Sequence, residues 1–375
     1  MAHSVSHSFQ QNRTMRFVHS GDWHIGVAAG HAGAAADRVR KARVEAARAV
    51  VAAARVEAAD FIVLAGDTFD SNGVSRSLVA EAASVLGAAH CPVFVLPGNH
   101  DPLTPGSVWE HDSWSRFANI RILREAKPVA IEGGTLYPCP IYTRTSSEDP
   151  TAWIASDAAA GLRIGIAHGT VGDLNADHGF PIPFDAASRC GLDYLALGDW
   201  HSAIVYDDGR IAYCGTHETT KFGERDSGNV LLVDVAKRGA TPLIRRLRTG
   251  ALEWVQVHEN ITEPGRLREI ARRLEADARQ DRLVDVRLSG LLFEREAAEL
   301  DRIRGTLGYY LAARLDESAL RPAPSDDDWI RQLPAGLAQH TAERLRAMAS
   351  AEGEAGAVAA QALRELYVLH SEVRA

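Results

Sequence analysis

Phe61-Ile62-Val63-Leu64-Ala65 runs straight into Gly66-Asp67-Thr68-Phe69-Asp70. A short unbroken apolar run closed by a glycine reads as a strand buried on both faces, with carboxylates delivered at its C-terminal end. The same design recurs four more times. Arg16-Phe17-Val18-His19-Ser20 leads to Gly21-Asp22-Trp23-His24, and Val93 to Leu96 leads to Pro97-Gly98-Asn99-His100-Asp101. Arg163 to Ala167 leads to His168-Gly169, and Tyr194 to Leu197 leads to Gly198-Asp199-Trp200-His201. The ordered series DxH, GDxxD, GNHD, HG and GDxH is far more specific than any of its parts. A lone DxH is an ordinary surface pair, and a lone GNHD an ordinary polar turn. Together they place carboxylates, imidazoles and one amide at a single site around metal ions.

Working outward, the strands alternate at first with helices. Ala34–Ala59 is Ala-rich but interrupted by charges, as in an amphipathic helix, and Ser75–Ala89 reads as a second. Strands follow at Ile120–Leu123, Val129–Ile131, Thr135–Tyr137, Ile211–Tyr213 and Val230–Val235, with a hairpin around Gly133-Gly134. The fold class is α/β (α+β): a two-sheet β-sandwich flanked by helices over residues 15–250. After Gly250 a β-α-β-α-β run is expected at 251–321, with strands at Leu252–Val257, Leu283–Leu288 and Tyr309–Leu315 and helices at Pro264–Ala278 and Phe293–Leu307. Pro322-Ala323-Pro324-Ser325 reads as a linker with Ser325 or Asp326 as helix cap. The region 322–375 is then mostly helical, broken near Gly353–Gly356, and residues 1–14 read as a disordered polar tail.

Composition excludes several classes. No apolar run approaches the roughly 20 residues needed to span a bilayer. Cys91, Cys139, Cys190 and Cys214 are scattered without a CxxC pair, so neither a zinc knuckle nor a disulfide framework is indicated, and a cytoplasmic location is expected. The formal net charge of −8 argues against adhesion to nucleic acid through bulk charge, although bound cations can reverse the field at a site.

The chemistry assigns roles. Two divalent ions held roughly 3.5–4 Å apart can clamp a phosphoryl group and hold a hydroxide between them for in-line attack. Asp67, at a buried strand end, is the expected bridge. Asp22, His24 and His201 are expected at the first metal, and Asn99, His168 and Asp199 at the second. Mixed Asp, His and Asn donors suit Mn, Fe or Zn better than Mg or Ca. His100 is placed to protonate the leaving oxygen, with Asp70 holding its imidazole. For Trp23 and Trp200 wall packing is the ordinary expectation, and stacking on a base the sharper one.

These motifs resemble the calcineurin-like metallophosphoesterases. Within them, Asp22-Trp23-His24-Ile25-Gly26, the stretch Tyr213-Cys214-Gly215-Thr216-His217-Glu218 and Phe222-Gly223-Glu224 resemble the SbcD-type DNA repair nucleases. The resemblance implies a Mn²⁺-dependent exonuclease and endonuclease acting on DNA, a homodimer, an SMC-like ATPase partner and a DNA-capping role for 251–321. It implies no membrane. One position departs from the pattern, which has GHxH where this chain has Gly198-Asp199-Trp200-His201. Two rival readings stand beside it. One is a small-molecule phosphodiesterase or phosphatase on the same core, and the other a non-catalytic DNA-end or ATPase-binding subunit whose second metal site is weakened at Asp199.

Overall fold

A computed structural model describes residues 14–156, 161–172 and 179–374. Residues 1–13, expected to be disordered, lie outside the described residues, as does His178. The chain divides after Leu252 into two compact units.

The first unit opens with β1 (Met15–Ser20), α1 (Ala36–Val56), β2 (Phe61–Ala65), α2 (Arg76–Gly87), β3 (Val93–Leu96) and β4 (Ile120–Ile122). It continues with β5 (Val129–Ile131), β6 (Gly134–Pro138), β7 (Leu162–His168), β8 (Thr170–Val171), β9 (Pro181–Ile182) and α3 (Ala186–Arg189). β10 (Tyr194–Gly198), β11 (Ile204–Tyr206), β12 (Ile211–Tyr213), β13 (Asn229–Val235) and β14 (Leu243–Arg248) complete it. One sheet has the order β14-β13-β1-β2-β3-β4 and the other β11-β12-β10-β7-β6-β5. β1, β2, β3 and β4 are mutually parallel, as are β6, β7, β10 and β12. Parallel neighbours end on the same side, so each sheet presents a row of strand C-termini along one edge.

Strand alternation divides the apolar residues among three layers. Val18, Ile62, Leu64, Val93 and Val95 face Val50, Ala54, Val79 and Leu86 of α1 and α2. Phe17, Phe61, Val63, Phe94 and Leu96 face Ile164, Ile166, Tyr194 and Ala196 across the two sheets. Leu195 and Leu197 pack beneath Ile182 and Ala186 on the far side. The sandwich expected from the sequence is therefore observed, with helices outside it. Each fully buried Ile, Leu or Phe contributes about 1.5–3 kcal/mol relative to exposure. α2 starts where Ser75 Oγ accepts the Leu78 N–H at 3.3 Å as the helix N-cap.

The inter-sheet layer also holds one polar pin. His19 Nδ1 lies 2.9 Å from the Tyr194 hydroxyl, and its Nε2 lies 3.1 Å from the Leu197 carbonyl oxygen. The carbonyl can only accept, so Nε2 carries the proton and Nδ1 accepts from Tyr194.

In the second unit β15 (Glu253–Ile261), α4 (Arg266–Asp277), β16 (Arg282–Leu292), α5 (Ala297–Leu307) and β17 (Ala312–Pro322) form a parallel three-stranded sheet with its two helices, followed by α6 (Leu337–Ala349) and α7 (Glu354–Arg374). The last strand corrects the expectation of Tyr309–Leu315. Tyr310 is buried before the strand begins, its hydroxyl donating to the Leu274 carbonyl at 2.8 Å. Pairing with the long β16 then carries β17 on to the Leu292↔Pro322 register, so the proline read as linker ends an edge strand, where a missing N–H is tolerated. Asp326, one of the two expected caps, accepts the Asp328 N–H through Oδ1 at 2.9 Å, and the element that follows at once is a short 3₁₀ turn, Asp328–Gln332.

Burial pushes the His19 imidazole down to about 3, although its bond to Leu197 opposes this. Below the ordinary value of 6.5 the unfolded chain therefore binds a proton that the folded chain refuses, and stability falls with falling pH. We predict that His19→Gln removes about 1.4 kcal/mol per pH unit from the slope of stability between pH 6 and 5. Urea unfolding of both proteins at several pH values checks this; equal slopes would contradict it.

Candidate metal centre

The site lies where the C-terminal edges of the two sheets meet. The β7–β10 register sets Gly198 beside His168, so the fourth and fifth motifs are neighbours by pairing alone. In the other sheet, Ser20 pairs with Leu64 and Ala65 with Leu96, which aligns the first three motifs. Across the gap, His168 Nδ1 lies 3.0 Å from the Ala65 carbonyl oxygen, and the Asp199 N–H donates to Asp22 Oδ1 at 2.9 Å.

Close approach dictates the glycines here. A Cβ at Gly66 would lie 2.1 Å from His168 Nδ1, and one at Gly198 would lie 1.9 Å from the Ala65 carbonyl oxygen. The backbone is strained where the chain turns inward. Asp22, His24, Asp67 and Asp199 have φ of 51°, 42°, 49° and 105°, a region that non-glycine residues seldom occupy. All four are residues singled out from the sequence. Main-chain bonds hold the turns: the Asp22 N–H donates to Gly66 O at 3.2 Å and the His24 N–H to Asp67 O at 2.9 Å.

All nine sequence-predicted residues come together. Asp67 Oδ1 accepts the His100 N–H at 2.9 Å, while Oδ2 lies 3.7 Å from His24 Nε2 and 3.5 Å from His168 Nε2. His24 Nε2 is 3.1 Å from His201 Nε2. His168 Nε2 is 2.9 Å from Asn99 Oδ1 and 3.8 Å from Asp199 Oδ1. Two donor groups thus flank one Asp67 oxygen. Asp22, Asp67 and His168 are buried, Asn99, Asp199 and His201 half-buried, and His100 is exposed.

Three imidazoles share one device. Each has an acceptor at Nδ1, which fixes the proton there and directs Nε2 elsewhere: Ala65 O for His168, Asp70 O at 3.0 Å for His100, and Glu224 Oε1 at 2.8 Å for His201. Asp70 corrects its expected role. It holds His100 through its main-chain carbonyl, whereas its carboxylate lies 3.7 Å from His24 Nδ1. The Asp70 N–H donates to Ile25 O at 3.1 Å beside the Ile25–Phe69 bridge, which anchors the main chain just before that carbonyl.

Supporting residues surround the cluster, among them Glu224 and Thr170, whose contacts the sequence reading did not assign. Glu224 binds His201 and also accepts the Thr220 hydroxyl and N–H. Its signal was present in Phe222-Gly223-Glu224, but nothing in the spacing tied it to His201. Thr170 Oγ1 donates to Asp199 Oδ2 at 2.8 Å. Asp101, fully buried, accepts the Gly98 N–H at 2.7 Å and the Phe69 N–H at 2.8 Å, joining the second and third motifs. Trp23 is wholly buried and packs as a wall, stacked on an equally buried His217, so neither faces substrate. Trp200 is half-buried against the apolar layer beneath β10.

The donor set fits divalent cations. Asp22 Oδ2 is buried with no hydrogen-bond partner, a costly state for a carboxylate unless a cation takes it. Asp22, His24 and Asp67, and likewise His24, Asp70 and His100, present atoms close enough to share an ion. Burial drives the Asp22 carboxyl up to about 7, with His168 and His201 opposing. Burial also acts upward on Asp67, but the charge and hydrogen bond of His168, with His24 and His100, hold it well below the usual range. At His168 burial acts downward and is outweighed by Asp67, Asp199 and Asp22, which raise it well above an ordinary imidazole.

The family model described as calcineurin-like phosphoesterase matches residues 15–203. An uncharacterized metallophosphoesterase of Bacillus subtilis (strain 168), YhaO, is 26% identical over 303 residues, covering 75% of this chain and 72% of that protein. Among solved structures, TT1561 of Thermus thermophilus aligns with a TM-score of 0.42 at 12% identity, over 63% of this chain and 100% of that one. Purple acid phosphatase PPD1 from yellow lupin (Lupinus luteus) seeds aligns with a TM-score of 0.40 at 12% identity, over 64% of this chain and 52% of that one.

Ligation requires ionised carboxylates and neutral imidazoles, so cation binding must expel protons from Asp22 and His168. Both groups are raised, so affinity for Mn²⁺ is expected to fall as pH drops below about 7. Calorimetric titration at pH 6.5 in two buffers of different ionisation enthalpy should give different apparent heats. Buffer-independent heat would contradict the prediction.

Proposed function

We propose that this chain, which belongs to the calcineurin-like phosphoesterase family and is therefore a metal-dependent phosphoesterase, hydrolyses phosphodiester bonds in DNA as an SbcD-type repair nuclease. The carrying observation is the joined set of two donor groups around Asp67 Oδ2, with exposed His100 at its rim. Asp22, His24 and His201 would hold one divalent ion and Asn99, His168 and Asp199 another, with Asp67 between them. Two such ions supply positive charge for the phosphoryl oxygens and lower the pKa of water. Mn²⁺ is the proposed metal, with Fe and Zn as alternatives.

The chain's own residues do the rest. His100 Nδ1 donates to the Asp70 carbonyl, which turns Nε2 outward; as the imidazolium, His100 would pass its Nε2 proton to the departing oxygen and be left neutral, its Nδ1 proton still on Asp70 O. Its ring meets His24 edge-on at 4.7 Å between centroids, which limits its rotation. Glu224 and Ala65 O hold His201 and His168 against reorientation. Asp199 directs Oδ1 toward His168 Nε2 while Thr170 occupies Oδ2, an arrangement that supports a donor role and speaks against a decayed site.

The narrower DNA reading is supported by the Tyr213–Glu224 resemblance, since Glu224 of that segment is the residue that grips His201. An SMC-like ATPase partner, a homodimer, a capping role for the second unit and a cytoplasmic location belong to the same proposal. Among the described residues no helix is long and apolar enough to cross a membrane, and all four cysteines are free and buried. A small-molecule phosphodiesterase is the second reading, favoured by the net charge of −8, which provides no bulk attraction for DNA.

Labelled single- and double-stranded DNA and bis(p-nitrophenyl) phosphate, assayed side by side with Mn²⁺, test the proposal. DNA cleavage is expected, and His100→Ala should lower turnover about 10²–10⁴-fold with metal content unchanged by mass spectrometry. Hydrolysis of the small diester without DNA cleavage would favour the second reading; a full-rate His100→Ala protein would remove the proposed acid.

A further inference from the structure

Behind the Asp22-Trp23-His24 turn sits a buried guanidinium. Arg43 belongs to α1 and is 1% exposed. Its Nε and Nη2 both donate to the Trp23 carbonyl oxygen, at 2.9 and 2.5 Å, while Nη1 has no hydrogen-bond partner. The peptide it grips is enclosed further. Trp23 Nε1 donates to Ser20 Oγ at 2.8 Å, and the indole stacks on His217 with ring centroids 4.9 Å apart. His217 Nε2 in turn donates to the main-chain carbonyl of Arg43 at 2.7 Å, closing a loop of contacts from α1 through Trp23 and back.

A buried guanidinium with an unpaired nitrogen is an expensive way to fill a helix–sheet contact, where an apolar side chain would cost less. Burial lowers it to about 10, with Glu224 and Glu218 opposing, so it stays charged at neutral pH. What that charge holds is a single carbonyl between two residues with φ of 51° and 42°. Those residues carry Asp22 Oδ2, the orphaned oxygen, and the His24 imidazole.

We propose that Arg43 is a positioning residue of the metal centre: its double grip on the Trp23 carbonyl holds Asp22 and His24 in their left-handed conformation and thereby sets affinity for the first ion. This rests on reading the cluster as a metal centre. Lysine offers a point charge instead of a planar fork, so it reproduces the grip only in part.

The test is Mn²⁺ binding by calorimetry and electron paramagnetic resonance on the full chain, beside thermal unfolding of the metal-free protein. Arg43→Gln is expected to weaken one of two Mn²⁺ sites tenfold or more, and Arg43→Lys to restore part of the loss. A folded variant with wild-type affinity overturns the proposal, because a residue that merely supports the fold would lower the unfolding temperature and leave binding unchanged. Failure of both variants to fold also overturns it, since Arg43 would then serve the fold rather than the site. If the wild type itself binds no Mn²⁺, it is the metal-centre reading that fails, and the two failures are distinguishable.

Discussion

The contact between His168 Nδ1 and the Ala65 carbonyl is the constraint on which the rest of the structure depends. It joins the end of a strand in one sheet to the end of a strand in the other, at the point where both rows of C-termini converge. It also fixes the imidazole proton at Nδ1 and leaves Nε2 facing Asn99, Asp67 and Asp199. No side chain fits beside it, so Gly66 and Gly198 are required by space, and Gly66 also by its φ of 91°. The apolar layer between the sheets brings the two edges close, and this bond, with that from the Asp199 N–H to Asp22 Oδ1, ties them together at the site.

Given that closure, the cost of the site is spread over the surrounding scaffold. Four acidic or imidazole residues adopt positive φ, and Asp22 keeps a buried oxygen without a partner. Such features persist only where the neighbourhood over-determines them. Here the supports are visible: main-chain bonds from the Gly66 and Asp67 carbonyls, the buried Asp101 carboxylate that ties Gly98 to Phe69, and the Arg43 fork on Trp23. Opposite charges packed at close range offset part of the desolvation, which is why Asp67 and His168 shift in opposite directions.

The two halves of the cluster differ in character. Around His24 and His201 the donors are mostly imidazole nitrogens, one of them backed by Glu224. Around His168 they are an amide and the Asp199 carboxylate, which is shared with Thr170. A carboxylate where the resembling family carries an imidazole makes that half harder and more anionic. At the irregular fifth motif the Thr170 hydroxyl takes one Asp199 oxygen, and the other lies 3.8 Å from His168 Nε2.

The sequence by itself determined the element types, the two-sheet sandwich and the identity of the clustered residues. Strands that run at once into glycine and metal-ligand residues admit few alternatives: Asp22, Asp67 and Asn99 each follow such a glycine directly, His100 is one residue further on, and His168 follows Ala167 directly. The end of the last strand of the second unit was illegible because the long β16 carries β17 through Pro322, a pairing partner that local propensity does not register. The supporting contacts were equally hidden. Glu224 is 23 residues from His201, Arg43 is 20 from Trp23, and Ala65 is 103 from His168. Asp70 shows the same limit at short range: its spacing from Asp67 predicted a carboxylate on His100, but its main-chain carbonyl meets His100 and its carboxylate lies toward His24 instead. Residue identity sets which donors exist; only the folded backbone decides which atom of each donor faces which neighbour, because that depends on dihedrals fixed by contacts distant in sequence.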